Sequence, residues 1–215
     1  MSLALEQFLN ANASAIFGLL GAISGGTLSF IASLMLKRRE LNHQIRSKLV
    51  DRQIAAHERV LKLAQDMRVM VSSGSFDDAG EVERWPTLLQ SREIFESWFT
   101  EFTREQVGSS SWLTTAAKRE VGLVQDYLVT LHIHMKGVPS ESYPPLARLV
   151  RQDFIDLSSS LEKAVFAFFE KGIHRAQPDS LSSWHKYKRA ATEQRLNATL
   201  LAKNFDAFKR ASTET

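Results

Sequence analysis

A long run without charge constrains this chain more than any other feature. No Asp, Glu, Lys or Arg occurs from Gln7 to Leu36, and the apolar part, Ala13 to Leu36, reads ASAIFGLLGAISGGTLSFIASLML. As a helix rising ~1.5 Å per residue it extends roughly 36 Å. The hydrocarbon core of a bilayer is about 30 Å thick, so the run predicts one transmembrane helix over residues 13–36, spanning with some tilt. A buried helix of a soluble protein needs no such uninterrupted length. A cleaved signal peptide needs positive charge ahead of its apolar run, whereas MSLALEQFLNAN carries Glu6 and no Lys or Arg. The positive charge follows instead, as Lys37, Arg38 and Arg39. Cytoplasmic flanks carry the excess of Lys and Arg. These three are therefore expected at the cytoplasmic surface of a bacterial-type inner membrane, with residues 1–12 as a short non-cytoplasmic tail.

One stripe of the predicted span is small. Ser14, Gly18, Ala22, Gly26 and Ser29 recur at helical spacing, with Gly25 beside them, and Gly21 and Gly25 form a literal GxxxG. Small side chains let two helix backbones approach closely, which gains van der Waals contact where lipid removes any hydrophobic drive. Phe17, Leu20, Ile23, Phe30 and Ile31 cover the other faces. The stripe predicts a homo-oligomer packed through the span.

Nothing breaks the helix after Leu36. Residues 37–71 hold no Pro or Gly and are rich in good helix formers. A basic membrane-proximal helix is expected there. Between Lys37 and Met70 stand nine Lys or Arg against four Asp or Glu, charge that anionic headgroups attract. Leu49, Ala56, Val60, Leu63, Met67 and Met70 follow a 3-4 pattern broken by Gln53. That pattern suits a short coiled coil, and better suits packing within the chain.

Residues 72–215 read as a helical bundle packed with 37–71. Ser72 to Gly80, SSGSFDDAG, has the composition of a linker. From Trp85-Pro86 onward four helices are expected, with Pro86 in a first turn. The first has Leu88, Ile94, Phe95, Trp98, Phe99 and Phe102 as its apolar face, and the second buries Val121, Val124, Leu128 and Leu131. The third opens with Pro144 and Pro145 and buries Leu146, Val150, Phe154, Leu157, Leu161, Val165 and Phe168. The last, capped by Asp179 or Ser180, carries a heptad through Trp184, Tyr187, Ala191, Gln194, Ala198, Leu201, Phe205 and Phe208. No stretch alternates with period two. The expected fold class is all-α: a transmembrane helix continuing into a long helix, then a cytoplasmic antiparallel helical bundle.

Motifs for chemistry are absent from the sequence. It has no P-loop, dinucleotide fingerprint, HExxH or nucleophile elbow, and no cysteine for a disulfide or thiolate metal site. His132 and His134 lie two apart, so on a helix they point about 200° away from each other and do not make a metal site. Phe95, Trp98, Phe99 and Phe102 read as core rather than a ligand pocket. Lys186, Lys188 and Arg189 read as a solvated face. Glu81, Glu83, Glu96, Glu101 and Glu105 show no paired geometry. No cofactor, metal or enzymatic activity is expected. The net charge of +3 gives no reason to expect nucleic acid.

The opening, GAISGGTLSF followed by LKRRELNHQ, resembles that of small bacterial membrane proteins in which a Gly-rich span runs straight into a basic helix. Some of those proteins serve as membrane effectors of antiphage systems, and the resemblance implies that role as an alternative. The residues themselves predict a membrane-anchored interaction protein. Its expected partners are the lipid bilayer, further copies of itself, and a protein that the sequence does not name.

Overall fold

A computed structural model describes residues 11–76, 80–172 and 189–213. Among the described residues the protein is mostly helical, at 85% helix. Its first helix, α1, runs over Ala13–Arg68. The chain divides into two compact units, Met1–Leu49 and Val50–Thr215.

In the first unit α1 holds every described side chain from Phe17 to Lys48 in an exposed position. This stretch contains a segment long and apolar enough to cross a membrane, near the N-terminus.

In the second unit the remainder of α1, from Val50, turns a seam inward: Ala56, His57, Val60, Leu63, Ala64 and Met67 are all buried. The helix stops at Arg68, three residues short of its expected end. The expected linker over 72–80 is largely a β-hairpin instead. Strand β1 (Met70–Phe76) pairs antiparallel with β2 (Val82–Pro86), matching Met70 with Pro86, Val71 with Trp85 and Ser72 with Arg84. The register then shifts before Phe76 meets Val82. Gly74 sits in the shifted stretch with φ +75° and donates its N–H to Ser72 Oγ at 3.1 Å. Such a backbone favours glycine. The serines that read as linker form a bulged strand, which lacks the clean alternation that reveals a strand in sequence.

Trp85 and Pro86 accordingly end a strand and do not start an α-helix. A 3-10 turn follows at Thr87–Leu89, then α2 (Arg92–Ser109), whose N-cap Ser91 accepts from the Ile94 N–H. Helix α3 (Thr115–Met135) is capped by Thr114, which accepts from Ala117 N–H. It buries Val121, Val124, Leu128 and Leu131 as expected. Gly137, at φ +87°, follows its end.

The third expected helix is present as two. Tyr143–Leu149 forms α4, with proline in its first turn, and Arg151–Ala167 forms α5. Val150, at φ −108° and ψ 6°, joins them. The apolar face from Leu146 through Phe154, Leu157 and Leu161 to Phe168 is buried throughout. A π-helical turn, Phe168–Gly172, follows α5.

The long final heptad helix is overturned. Trp184 and Tyr187, with the cap candidates Asp179 and Ser180, lie outside the described residues. The rest is three short helices: α6 (Arg189–Asn197), α7 (Leu200–Lys203) and α8 (Phe205–Thr213). Of the expected seam, Leu201 and Phe208 are buried, whereas Ala191, Gln194, Ala198 and Phe205 are exposed. The break has a local cause. Thr199 adopts extended backbone (φ −66°, ψ 157°), accepts from Ala202 N–H, and so starts a new helix.

Candidate functional site

The sequence places the candidate site on the first stretch of α1. Ser14, Gly18, Ala22, Gly25, Gly26 and Ser29 are all exposed there. Successive residues advance about 100° around a helix, so the six share one broad face. A methyl group added at Gly18, Gly21, Gly25 or Gly26 meets nothing within 4 Å. These glycines therefore do not serve packing within the chain. Apolar bulk on the other faces is equally open: Phe17 is 73% exposed, Leu28 69% and Phe30 66%. The Thr27 hydroxyl bonds back to the carbonyls of Ile23 at 2.8 Å and Ser24 at 3.0 Å. That internal pairing lets a hydroxyl sit in apolar surroundings without an unmet donor. Lys37, Arg38 and Arg39 follow on the same helix, all exposed.

The second unit holds two buried polar centres that lie outside the sequence expectations. At the first, the ring of His57 is fully buried. Its Nδ1 lies 2.7 Å from the Gln53 carbonyl, and its Nε2 lies 3.2 Å from Thr114 Oγ1 and 3.3 Å from the Thr114 N–H. Phe168 stacks on it with ring centres 3.8 Å apart. Burial lowers the proton affinity of this imidazole, partly opposed by the bond to the Gln53 carbonyl. The sequence held a signal for it. Gln53, His57, Val60, Ala64 and Met67 make an unbroken 4-3-4-3 seam, so Gln53 and His57 belong to the pattern.

At the second, Asp153 lies on the apolar face of α5 between Val150 and Leu157, and is buried. Its carboxylate accepts from the Tyr127 hydroxyl at 3.1 Å, from Leu200 N–H at 2.8 Å and from Leu201 N–H at 2.9 Å. Burial, and then the Asp153 charge, push the Tyr127 phenol well above its ordinary range. A carboxylate on an apolar stripe was the available signal. Asp156, Ser160, Thr199 and Arg195 line a groove of about 210 Å³ beside it. Arg195 is held by both oxygens of Glu120 at 2.8 Å.

The other sequence candidates are dispersed. His132 faces the rings of Phe99 and Phe95, with centres 5.5 and 6.1 Å away, while His134 meets Phe205 edge-on at 4.8 Å. Phe95 and Phe102 are buried, and Trp98 and Phe99 half-buried, in one run of stacked rings. Glu83 pairs with Arg148, and Glu96 with Arg92. Arg189 pairs with Glu193 at 3.1 Å, while Lys186 and Lys188 lie outside the described residues.

No family model matches this chain, and no curated protein or solved structure matches it.

Proposed function

We propose that this chain is a single-pass membrane-anchored interaction protein. Residues 13–36 cross the bilayer, and Lys37, Arg38 and Arg39 meet its cytoplasmic surface. An antiparallel helical bundle is held there, where it binds a protein partner. Copies of the chain associate through the stripe of Ser14, Gly18, Ala22, Gly25, Gly26 and Ser29.

One observation carries this reading: the most apolar window of α1 has none of its residues buried. Burying one large apolar side chain gains about 1.5–3 kcal/mol. The row from Phe17 to Leu36 forgoes that gain many times over unless lipid surrounds it. The open glycine face supports close approach of a second copy. The Thr27 hydroxyl, bonded within its own helix, supports packing over a polar pore lining.

The test is fractionation of cells expressing the full chain, with a topology reporter fused after Thr215. The protein should stay in the membrane pellet through alkaline carbonate. A reporter active only outside the cytoplasm should be silent. Release by carbonate would remove the anchor, and an active reporter would invert the orientation. Growth arrest with loss of membrane potential would favour the second reading, a membrane-perturbing effector.

A further inference from the structure

Three elements meet on the ring of His57. Its own helix supplies the Gln53 carbonyl, α3 supplies Thr114 at its cap, and the π-helical turn after α5 supplies Phe168. The partners dictate where the proton sits. A carbonyl only accepts, so Nδ1 carries the hydrogen. A backbone N–H only donates, so Nε2 presents its lone pair to Thr114. The buried imidazole is held as one neutral tautomer, fixed from both sides.

A second proton has one place to go, Nε2, where it points at the Thr114 N–H. The Thr114 hydroxyl can turn to accept it with its second lone pair, but that oxygen then serves both this proton and the Ala117 N–H at 3.4 Å, and the Thr114 N–H still faces Nε2 at 3.3 Å. The face of Phe168 attracts a cation and offsets part of the cost, which lies in burial and in the opposed Thr114 N–H. Charged groups on the three elements include Asp51, Arg52, Glu58 and Arg59 on α1, Lys118 and Arg119 on α3, and Glu170 in the π turn. Burial lowers the ring's proton affinity, and the bond to the Gln53 carbonyl partly opposes that. A buried charge held only by neutral groups, and opposed by a fixed N–H, is costly to keep.

We propose that His57 is an acid-operated latch: a proton on Nε2 drives the ring out from between Thr114 and Phe168, and frees the Val50–Arg68 stretch of α1 from the start of α3 and the π turn. The latch is shut at neutral pH and opens as the pH falls below the ordinary histidine range. It does not depend on the membrane reading, because every group involved lies in the second unit.

The experiment uses the full chain in nanodiscs. Amide hydrogen exchange over Val50–Arg68, corrected for intrinsic exchange, is followed while the pH is lowered from about 7.5 to about 5, alongside the ring nitrogen shifts of His57. One coupled proton changes an equilibrium by at most about tenfold per pH unit. Exchange in this stretch should therefore accelerate by up to about tenfold per unit below 6.5, the ordinary histidine value. The rise should track protonation of Nε2. H57Q, which cannot titrate, and H57F, which keeps a ring against Phe168, should each abolish the acceleration. A folded variant that retains the full acid response overturns the proposal. If both variants fail to fold, wild type decides alone. A ring that takes its second proton without any rise in exchange overturns the latch, and so does a ring still unprotonated at about pH 5.

Discussion

The Arg68 guanidinium, in the last turn of α1, meets the Glu162 carboxylate of α5 at 2.7 Å. The same side chain donates to Ser158 Oγ at 3.1 Å and Ser159 Oγ at 2.7 Å, so one residue grips three positions of α5. Arg68 remains 41% exposed and Glu162 18%, so solvent screens the pair. A double-mutant cycle with R68A and E162A should give a coupling of about 0.5–1 kcal/mol, shrinking with salt. The measurement is urea unfolding followed by helicity. R68K should not restore the coupling fully, since an ammonium lacks the fork that reaches three partners. A coupling of zero would make the contact incidental.

Asp153 should be the most costly polar residue to truncate. D153A strands the Tyr127 hydroxyl and the N–H groups of Leu200 and Leu201. Each of the three neutral donors left unmet costs about 1–3 kcal/mol, so D153A should lose more than Y127F, for which about 1.5–3 kcal/mol is expected. The phenol's folded value is raised above 10, so the folded state keeps a proton that the unfolded state gives up. Stability must then fall as the pH rises past 10, and Y127F should flatten that alkaline limb. Unfolding midpoints at neutral and alkaline pH read both effects. A Y127F limb as steep as wild type would remove Tyr127 from the account.

Acid should loosen α8 through His134. Burial lowers the proton affinity of this ring, which packs edge-on against Phe205 of α8. The folded state resists a proton that the unfolded chain accepts near 6.5. Stability is therefore unaffected above that value and declines as the pH falls from it towards the lowered folded value. H134Q should show a shallower decline in urea midpoint between about pH 6.5 and 5. An unchanged slope would assign the acid response elsewhere, with His57 next to test.

The glycine face of the proposed span should control self-association. Gly18 and Gly26 have open space around them, so G18L with G26L leaves the chain itself undisturbed. Insertion should survive, since Leu is favourable in a membrane helix. Close backbone approach should be lost, and crosslinked oligomer in detergent should drop at least severalfold. Changing Leu20 and Ile31 to other large apolar residues should matter little. Wild-type crosslinking in the glycine double variant would move assembly to the second unit.

The helical character, the apolar segment near the N-terminus and the core faces of α3 and α5 were legible from residue order alone. Each rests on a periodic pattern over many residues, and such patterns survive local exceptions. The small-residue stripe is likewise a matter of spacing. Tertiary structure decided what depends on single residues meeting others far along the chain. The hairpin is hidden because a register shift around Gly74 disrupts alternation, and the strands close only where Trp85 of the second pairs with Val71 of the first. The break in the final heptad is invisible to periodicity, which carries no information about Thr199 and the two N–H groups that turn to Asp153, 47 and 48 residues away. The burial of His57 is hidden for the same reason. Its burial is set by Thr114, 57 residues on, and by Phe168. A polar side chain enters a core only when distant partners satisfy it, and which partners those are is a property of the folded chain.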